Sequence, residues 1–273
     1  MAIDLLRRLI REVLLNEVDI ADVTDVCYTA GSTHVMKTCK IGGDKYFLKF
    51  SREEMFDDGV HPSLQILIEY LAYRIYGLFA GINIPHPELV YDAPRDAVGL
   101  ATSPLPGKQA LKVGISPESI GKMMSQGVFV DIFLANWDVV GTGTGNVFID
   151  KDKAYRMDPG AAMTFRAEGG RKGKRFSPRA GDLPIMLGGD MGAGLYFRYS
   201  DLKVAAKEFL AVKWPTIESE IDTVRNEIAE ELEERGMTRL LQQWHADVDE
   251  IKGTLAQRHN VVADHAKYVL KGG

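Results

Sequence analysis

Cysteine is scarce in this sequence, since only Cys27 and Cys39 carry a thiol among 273 residues. Two cysteines cannot build a disulfide framework, and no metal-type Cys/His spacing accompanies them. We therefore interpret them as buried free thiols, the common state of an isolated cysteine. Neither a disulfide scaffold nor a cysteine-bound metal is expected to organise the fold.

Long apolar runs are also missing. No window approaches the roughly 18 apolar residues that a membrane-spanning helix requires. The first residues combine apolar and charged positions at helical spacing rather than as the apolar core of a signal peptide, which predicts an amphipathic helix over 1–22. We expect this helix to pack onto the body of the protein, with a membrane-surface role as the alternative. Without a targeting segment, the expected location is the cytoplasm.

Positive charge is not in excess. Lys and Arg number 33 against 38 Asp and Glu, which gives a net charge of −5. Such a chain has no global cationic field to hold a nucleic-acid backbone, so nucleic acid is not an expected partner outside a local patch. The length is sufficient for one large domain or for two lobes with cores of their own.

Element patterns divide the chain at the proline- and glycine-containing segment 103–107. Upstream, over 23–106, strands are predicted at 23–28, 33–39, 45–50, 88–91 and 98–102, around one helix at 63–80. Downstream, over 107–273, the predicted elements are a helix at 117–135, strands at 147–149 and 154–157, a long loop over 159–200, and helices at 201–212, 215–235, 237–257 and 260–270. We therefore predict an α+β fold with a small β-rich lobe carrying one main helix and a larger helical lobe.

Three oxygen-bearing side chains lie in the middle of the chain. Asp138 follows the end of a predicted helix, Asn146 precedes the first strand of a predicted hairpin, and Asp158 follows the second strand. Phosphoryl transfer needs a carboxylate for the acceptor hydroxyl, and Mg²⁺ held by carboxylate or amide oxygens and phosphates. Asp138 suits the first role, and Asn146 and Asp158 suit the second. Taken singly, each is explained as well by a helix cap or an ordinary turn.

A second set of candidates lies in the small lobe. Lys49 is on a predicted strand and Glu69 on the helix that follows it. A strand lysine that neutralises phosphates and is held by a helix glutamate is the small-lobe half of a kinase site, although a surface ion pair is a rival interpretation. The preceding turn, with Gly31, Ser32 and Thr33, could supply N–H groups and hydroxyls to phosphate oxygens. No P-loop motif is present.

The segment around Asp138 and Asp158 resembles a known family. Residues 133–141 read FLANWDVVG, Asn146 follows, and residues 156–167 read RMDPGAAMTFRA. The likeness, dense over 128–167 and looser over 28–106, is to the HipA-like and lipid-kinase-like branch of the protein-kinase-like superfamily, in particular its phage-encoded members. It implies ATP and Mg²⁺ bound between two lobes, a Ser or Thr of a protein as acceptor, and a host-cytoplasmic location if the chain is phage-encoded.

Two departures from the protein-kinase pattern leave other functions open. Asn146 lies eight residues after Asp138 instead of five, and the motif over 158–160 is DPG instead of DFG, so no aromatic switch is expected. One alternative is a catalytically inactive kinase-fold protein with a binding or structural role. The other is a kinase for a small molecule, which would have a closed substrate pocket.

The predicted loop after Asp158 is locally cationic. It holds Arg166, Arg171, Lys172, Lys174, Arg175 and Arg179. In a chain of negative net charge, such a segment suits an acidic or phosphorylated protein substrate, or single-stranded nucleic acid. A solvated loop without a partner is the alternative.

Overall fold

The computed structural model of the protein describes most of the chain from Val18 onward. The described ranges are 18–19, 24–29, 35–41, 44–51, 59–92, 95–141, 144–167, 169–189 and 192–272. The turn residues Gly31, Ser32 and Thr33 lie outside these ranges. Of the segment predicted as an N-terminal helix, only Val18–Asp19 is described, and it forms a short strand.

A six-stranded sheet forms the small lobe. Its strands are β1 (Val18–Asp19), β2 (Thr24–Thr29), β3 (Val35–Ile41), β4 (Asp44–Phe50), β5 (Pro87–Asp92) and β6 (Ala97–Thr102). They lie in the order β1-β5-β6-β4-β3-β2, with β1 parallel to β5 and all other neighbours antiparallel. On β4, Leu48 and Phe50 pack in one apolar cluster with Val90 and Ala101. Because side chains alternate along a strand, Lys49 points to the opposite face.

Helix α1 (Ser63–Tyr76) is the main helix of the small lobe, as predicted, but it ends four residues earlier than expected. Its apolar residues, among them Leu64, Leu67 and Leu71, recur every three or four positions and form a core-facing stripe. The helix is buried along nearly its whole length because it contacts both the small-lobe sheet and the helices of the large lobe. Glu69 is thereby carried into the interior between the lobes.

A three-stranded sheet and a set of helices form the large lobe. The strands are β7 (Lys108–Gln109), β8 (Val147–Asp150) and β9 (Lys153–Arg156), in the order β7-β8-β9. The helices are α2 (Ala110–Val113), α3 (Pro117–Met123), α4 (Val128–Phe133), α5 (Leu183–Gly188), α6 (Gly194–Phe197), α7 (Leu202–Ala211), α8 (Trp214–Glu234) and α9 (Thr238–Leu270). The hairpin of β8 and β9 confirms the two strands predicted there.

The prediction of one continuous helix over 117–135 is wrong. The chain forms α3, a short 3₁₀ helix at Ser125–Gly127, and then α4. Gly127 lies at the break, where a Cβ atom would come within 2.3 Å of Cζ of Arg156. The interruption therefore accommodates a large side chain from β9, which sequence periodicity does not reveal.

Two expectations for the second half of the chain are also wrong. The segment 159–200, predicted as one long loop, contains α5, α6 and two short 3₁₀ helices. The break predicted near residue 258 is absent, because the buried stripe of α9 continues without interruption from Leu255 through Arg258 to Val262. Helices α7 and α8 agree with their predicted bounds to within one residue. No helix in the described part of the chain is long and apolar enough to cross a membrane.

A buried ion pair between Asp131 and Arg156 joins α4 to β9. The guanidinium donates to both carboxylate oxygens at 2.9–3.1 Å, and the Tyr76 hydroxyl donates to Asp131 at 2.8 Å. Arg156 also donates to the carbonyl of Met124 at 2.7 Å. Burial raises the pKa of Asp131, although the attraction of Arg156 acts in the opposite direction. These groups tie α1, α4 and β9 together beneath the candidate site.

We expect Asp131→Ala to lower the free energy of unfolding by about 3–5 kcal/mol, because it leaves a buried guanidinium without its counter-charge. Urea unfolding followed by circular dichroism measures the change. Glu118→Ala is the control, since Glu118 pairs with Lys122 at the surface and should contribute little. Equal losses in the two variants would contradict the expected cost of breaking the buried pair.

Candidate active site

The centre of the candidate site is the ammonium group of Lys49, which lies between two carboxylates. Its Nζ atom is 2.7 Å from Oε2 of Glu69 and 2.5 Å from Oδ1 of Asp158. The side chains of Lys49 and Glu69 are only 6% and 2% exposed, whereas that of Asp158 is 43% exposed. The interpretation of Lys49 and Glu69 as a surface ion pair is therefore wrong. One cation from β4 instead connects α1 of the small lobe with the segment after β9.

Burial and charge oppose each other within this group. Burial acts to lower the pKa of Lys49, but the combined attraction of Asp158 and Glu69 raises it above its usual value, so the ammonium stays charged. Burial raises the pKa of Glu69 to about 7, against the attraction of Lys49. Two carboxylates therefore compete for one buried cation, and the more exposed of them, Asp158, can also reach other partners.

The backbone around Asp158 is held in an unusual conformation. Asp158 adopts left-handed dihedral angles (φ 55°, ψ 64°), and its N–H donates to the Tyr73 hydroxyl at 2.9 Å. A Cβ atom on Gly160 would lie 2.8 Å from Oε2 of Glu69 and 3.1 Å from Nζ of Lys49. The glycine of the DPG motif is therefore needed because the ion pair occupies the space that a side chain would fill.

Asp138 and Asn146 lie together despite the eight residues between them. The Asn146 side-chain amide donates to the Asp138 carbonyl at 2.9 Å and lies 3.5 Å from Oδ2 of its carboxylate. The chain turns back at Gly141, where φ is +70° and a Cβ atom would come within 2.7 Å of Cγ of Asn146. The longer spacing therefore does not separate the asparagine from the aspartate.

The hairpin also brings Asn146 to the same end as Asp158. The N–H of Met157, which immediately precedes Asp158, donates to the Asn146 carbonyl at 2.9 Å. No cluster of three or more His, Cys, Asp or Glu side chains capable of holding a metal ion occurs among the described residues. A carboxylate and an amide oxygen nevertheless fit Mg²⁺, which needs only one or two protein ligands when phosphates and waters complete its octahedral shell.

Sequence reasoning missed the groups that hold Trp137, the residue before Asp138. The Trp137 indole N–H donates to Asp182 at 2.8 Å, and Asp182 also accepts from Arg258 at 2.9 Å. Arg258, which is fully buried on α9, donates further to the carbonyls of Ile132 and Phe133 at the end of α4. These contacts join residues 45 to 126 positions apart, so no local pattern could have indicated them.

Lys172 is a second buried lysine, and it contacts the loop that precedes Asp138. Its Nζ atom donates to the carbonyls of Ala135 and Ala161 at 2.5 and 2.6 Å and lies 4.6 Å from the centroid of the Trp137 ring. Ala135 has a left-handed φ of 51°, which turns its carbonyl out of the helical pattern. Burial lowers the pKa of Lys172 to about 7. Lys172 therefore fixes the loop before Asp138 against the segment after Asp158.

The cationic segment predicted after Asp158 is only partly exposed. Arg171 forms a two-bonded ion pair with Asp247 on α9, and Lys172 is buried. The expectation of six cations facing a partner is wrong because these two side chains fasten the segment to the large lobe. The exposed members are Arg166, Lys174, Arg175 and Arg179.

These features together define a protein-kinase-like fold: a small sheet lobe with one main helix, a helical lobe, and a lysine, glutamate and aspartate meeting between them. The crystal structure of a Helicobacter pylori proinflammatory kinase, CtkA, is similar to this chain with a TM-score of 0.53. The similarity covers 93% of this chain and 98% of that one at 13% sequence identity, and at this identity it shows the fold alone. The predicted α+β, two-lobed fold class is confirmed.

Comparisons by sequence found no counterpart. No protein-family model matches the chain, and no curated protein matches it. The functional assignment therefore depends on the geometry of the site and not on a close relative.

The pKa of Lys172 predicts a specific pH dependence of stability. This pKa is about 7 in the folded protein and about 10.4 in an unfolded chain, so between these values the unfolded state binds more protons. The contribution of Lys172 to stability should therefore rise as the pH increases through this window. Relative to Lys172→Met, the free energy of unfolding of the wild type should gain up to about 1.4 kcal/mol per pH unit.

Urea unfolding of wild type and Lys172→Met at about pH 7, 8 and 9 measures the two slopes. Lys207→Met is the control, because Lys207 is exposed on α7 and should leave the wild-type slope unchanged. If wild type and Lys172→Met gave parallel profiles, the buried lysine would not titrate in this range.

Proposed function

We propose that the protein is an ATP- and Mg²⁺-dependent phosphotransferase whose acceptor is the hydroxyl of a Ser or Thr on a protein. The observation that carries this proposal is the buried Lys49 ammonium shared by Glu69 and Asp158. Replacing a buried ion pair with apolar residues is often neutral or stabilising. The presence of one cation and two carboxylates between the lobes therefore supports a functional role and argues against an inactive structural protein.

In this proposal the small lobe binds the phosphates of ATP. Lys49 neutralises phosphate oxygens, and Glu69 holds its ammonium in place. Gly31, Ser32 and Thr33 would add N–H and hydroxyl donors to the phosphates. The side chains of Asn146 and Asp158 would hold Mg²⁺, which when bound neutralises charge on the phosphate oxygens.

Asp138 acts on the acceptor. Its carboxylate orients the acceptor hydroxyl and takes the proton as the new O–P bond forms to the γ-phosphorus and the bond to the β-phosphate oxygen breaks. Asn146 steadies this residue through the hydrogen bond to its carbonyl. The HipA-like assignment agrees with the motifs over 133–141 and 156–167 and with the two-lobed fold.

We expect Mg²⁺ and ATP together to stabilise the wild type by about 2.7 kcal/mol at a concentration one hundred times the Kd. Thermal unfolding with ATP, with and without Mg²⁺, measures this. Asp158→Asn should lose most of the stabilisation that depends on Mg²⁺, because the substitution removes a charged metal ligand. Asp152→Asn is the matched control, since Asp152 is exposed in the β8–β9 turn and should behave as wild type. A full Mg²⁺-dependent shift in Asp158→Asn would refute the metal assignment.

Asp138→Asn separates binding from chemistry. We expect this variant to keep the stabilisation by Mg²⁺ and ATP but to transfer phosphoryl groups about 10²–10⁴-fold more slowly, because it lacks the proton acceptor. Transfer of radiolabelled γ-phosphate to the proteins of a cell lysate measures the rate, with Asp152→Asn again as the control. A wild type that binds Mg²⁺ and ATP but labels nothing would favour the inactive binding protein.

A further inference from the structure

A groove in the large lobe lies beside the catalytic loop. Its cavity measures about 560 Å³, and one wall is Trp137, which immediately precedes Asp138. The other lining residues include Ser177 from the segment after Asp158, and Ile185 and Met186 from α5. We call this cavity the acceptor groove. Asp138 itself does not line the groove, so the groove adjoins the candidate site through Trp137, its neighbour in the chain.

The acceptor groove is open and not closed. Five of its eleven lining residues are exposed, and the side chain of Ile185 at its rim is 67% exposed. Small-molecule sites bury about 70–90% of the ligand, which this open surface would not do. The shape therefore suits an extended chain lying across the surface and disfavours a small-molecule acceptor.

The charge at the rim is positive. Lys174 and Arg175 line the groove and are exposed, and neither forms an ion pair within the described part of the chain. Asp182 is the one carboxylate among the described lining residues, and it is buried and bonded to Arg258 and the Trp137 indole. The two cations are therefore available to an anionic partner in a chain whose net charge is −5.

The apolar wall of the groove is held firmly. Trp137 donates to Asp182, and the Lys172 ammonium lies 4.6 Å from the centroid of its ring. A wall that is fixed before binding loses little conformational entropy when a ligand docks. The groove thus combines a rigid aromatic surface with two cations at its edge.

We propose that the acceptor groove binds an extended, acidic peptide segment of the protein substrate. An apolar side chain of that segment packs between Trp137 and Ile185, and Asp or Glu side chains pair with Lys174 and Arg175. This docking presents a neighbouring Ser or Thr hydroxyl to Asp138. The inference rests on the proposed phosphotransferase function and specifies its substrate class.

Direct peptide binding tests the inference without requiring turnover. The probes are three fluorescent nonapeptides with the same central serine and leucine and with three glutamates, three glutamines or three lysines. Fluorescence anisotropy with the full-length protein should give an affinity for the glutamate peptide at least about tenfold higher than for the lysine peptide. Lys174→Glu/Arg175→Glu should reverse that order, because both rim charges change sign.

Two further variants separate charge from packing. Lys112→Glu/Lys207→Glu makes the same change in net charge at exposed positions outside the groove and should leave the order of affinities unchanged. Ile185→Ser should weaken binding of all three peptides, because it removes the exposed apolar contact without disturbing a buried core. Each variant is first checked for wild-type stabilisation by Mg²⁺ and ATP, which a change outside the nucleotide site should not affect.

The outcomes distinguish failure of the acceptor-groove proposal from failure of the phosphotransferase proposal. Equal affinity for the three peptides, or no response to the charge reversal, overturns the acceptor groove even if Mg²⁺ and ATP still bind. Tighter binding of an oligothymidylate than of the glutamate peptide, lost in the same reversal variant, overturns it in favour of nucleic acid. Failure of the wild type to bind Mg²⁺ and ATP refutes the phosphotransferase instead, while the anisotropy series still decides what the groove binds.

Discussion

One buried ammonium group fixes the position of the small lobe relative to the large lobe. Lys49 extends from the small-lobe sheet, Glu69 from the helix packed on it, and Asp158 from the segment that follows the large-lobe hairpin. Because an isolated charge in the interior is costly, any displacement of one lobe that separated these groups would leave charge unpaired. The same contact demands a residue without a side chain at Gly160, which explains the glycine of the DPG motif without reference to an aromatic switch.

Buried basic side chains also shape the loop of the large lobe that carries Asp138. Arg156, Lys172 and Arg258 each donate to backbone carbonyls of the segment between residues 124 and 161. Some of these carbonyls also accept a backbone N–H, as that of Met124 does from Gly127 and that of Ala135 from Trp137, so the side-chain donors add a second hydrogen bond at the breaks around α4. The loop that carries Asp138 is therefore fixed from β9, from the segment after Asp158 and from α9 at once.

Much of the candidate site could be predicted from the sequence because its residues lie on short, regular elements. Alternation placed Lys49 on a strand, helical periodicity placed Glu69 on α1, and turn residues marked the hairpin between Asn146 and Asp158. The prediction of a single helix over 117–135 was wrong because the helix is interrupted at Gly127, where a side chain from β9 packs. The prediction of a long loop over 159–200 was wrong because the short helices in this segment carry little periodicity. The spacing of Asp138 and Asn146 suggested a defective site, whereas Gly141 turns the chain back and brings the two residues together.

The amino-acid sequence by itself determined the types of element, their order and the side chains able to handle phosphate and metal, because periodicity and turn chemistry act over a few residues. Only the tertiary structure decided which of these side chains meet. Lys49 reaches Asp158 across 109 positions and Arg258 reaches the end of α4 across 125, and contacts of that kind depend on how whole elements pack. The division of the cations after Asp158 into two anchored side chains and an exposed set was likewise decided by tertiary contacts, which no local pattern encodes: Arg171 pairs with Asp247 on α9, and Lys172 donates to the carbonyls of Ala135 and Ala161.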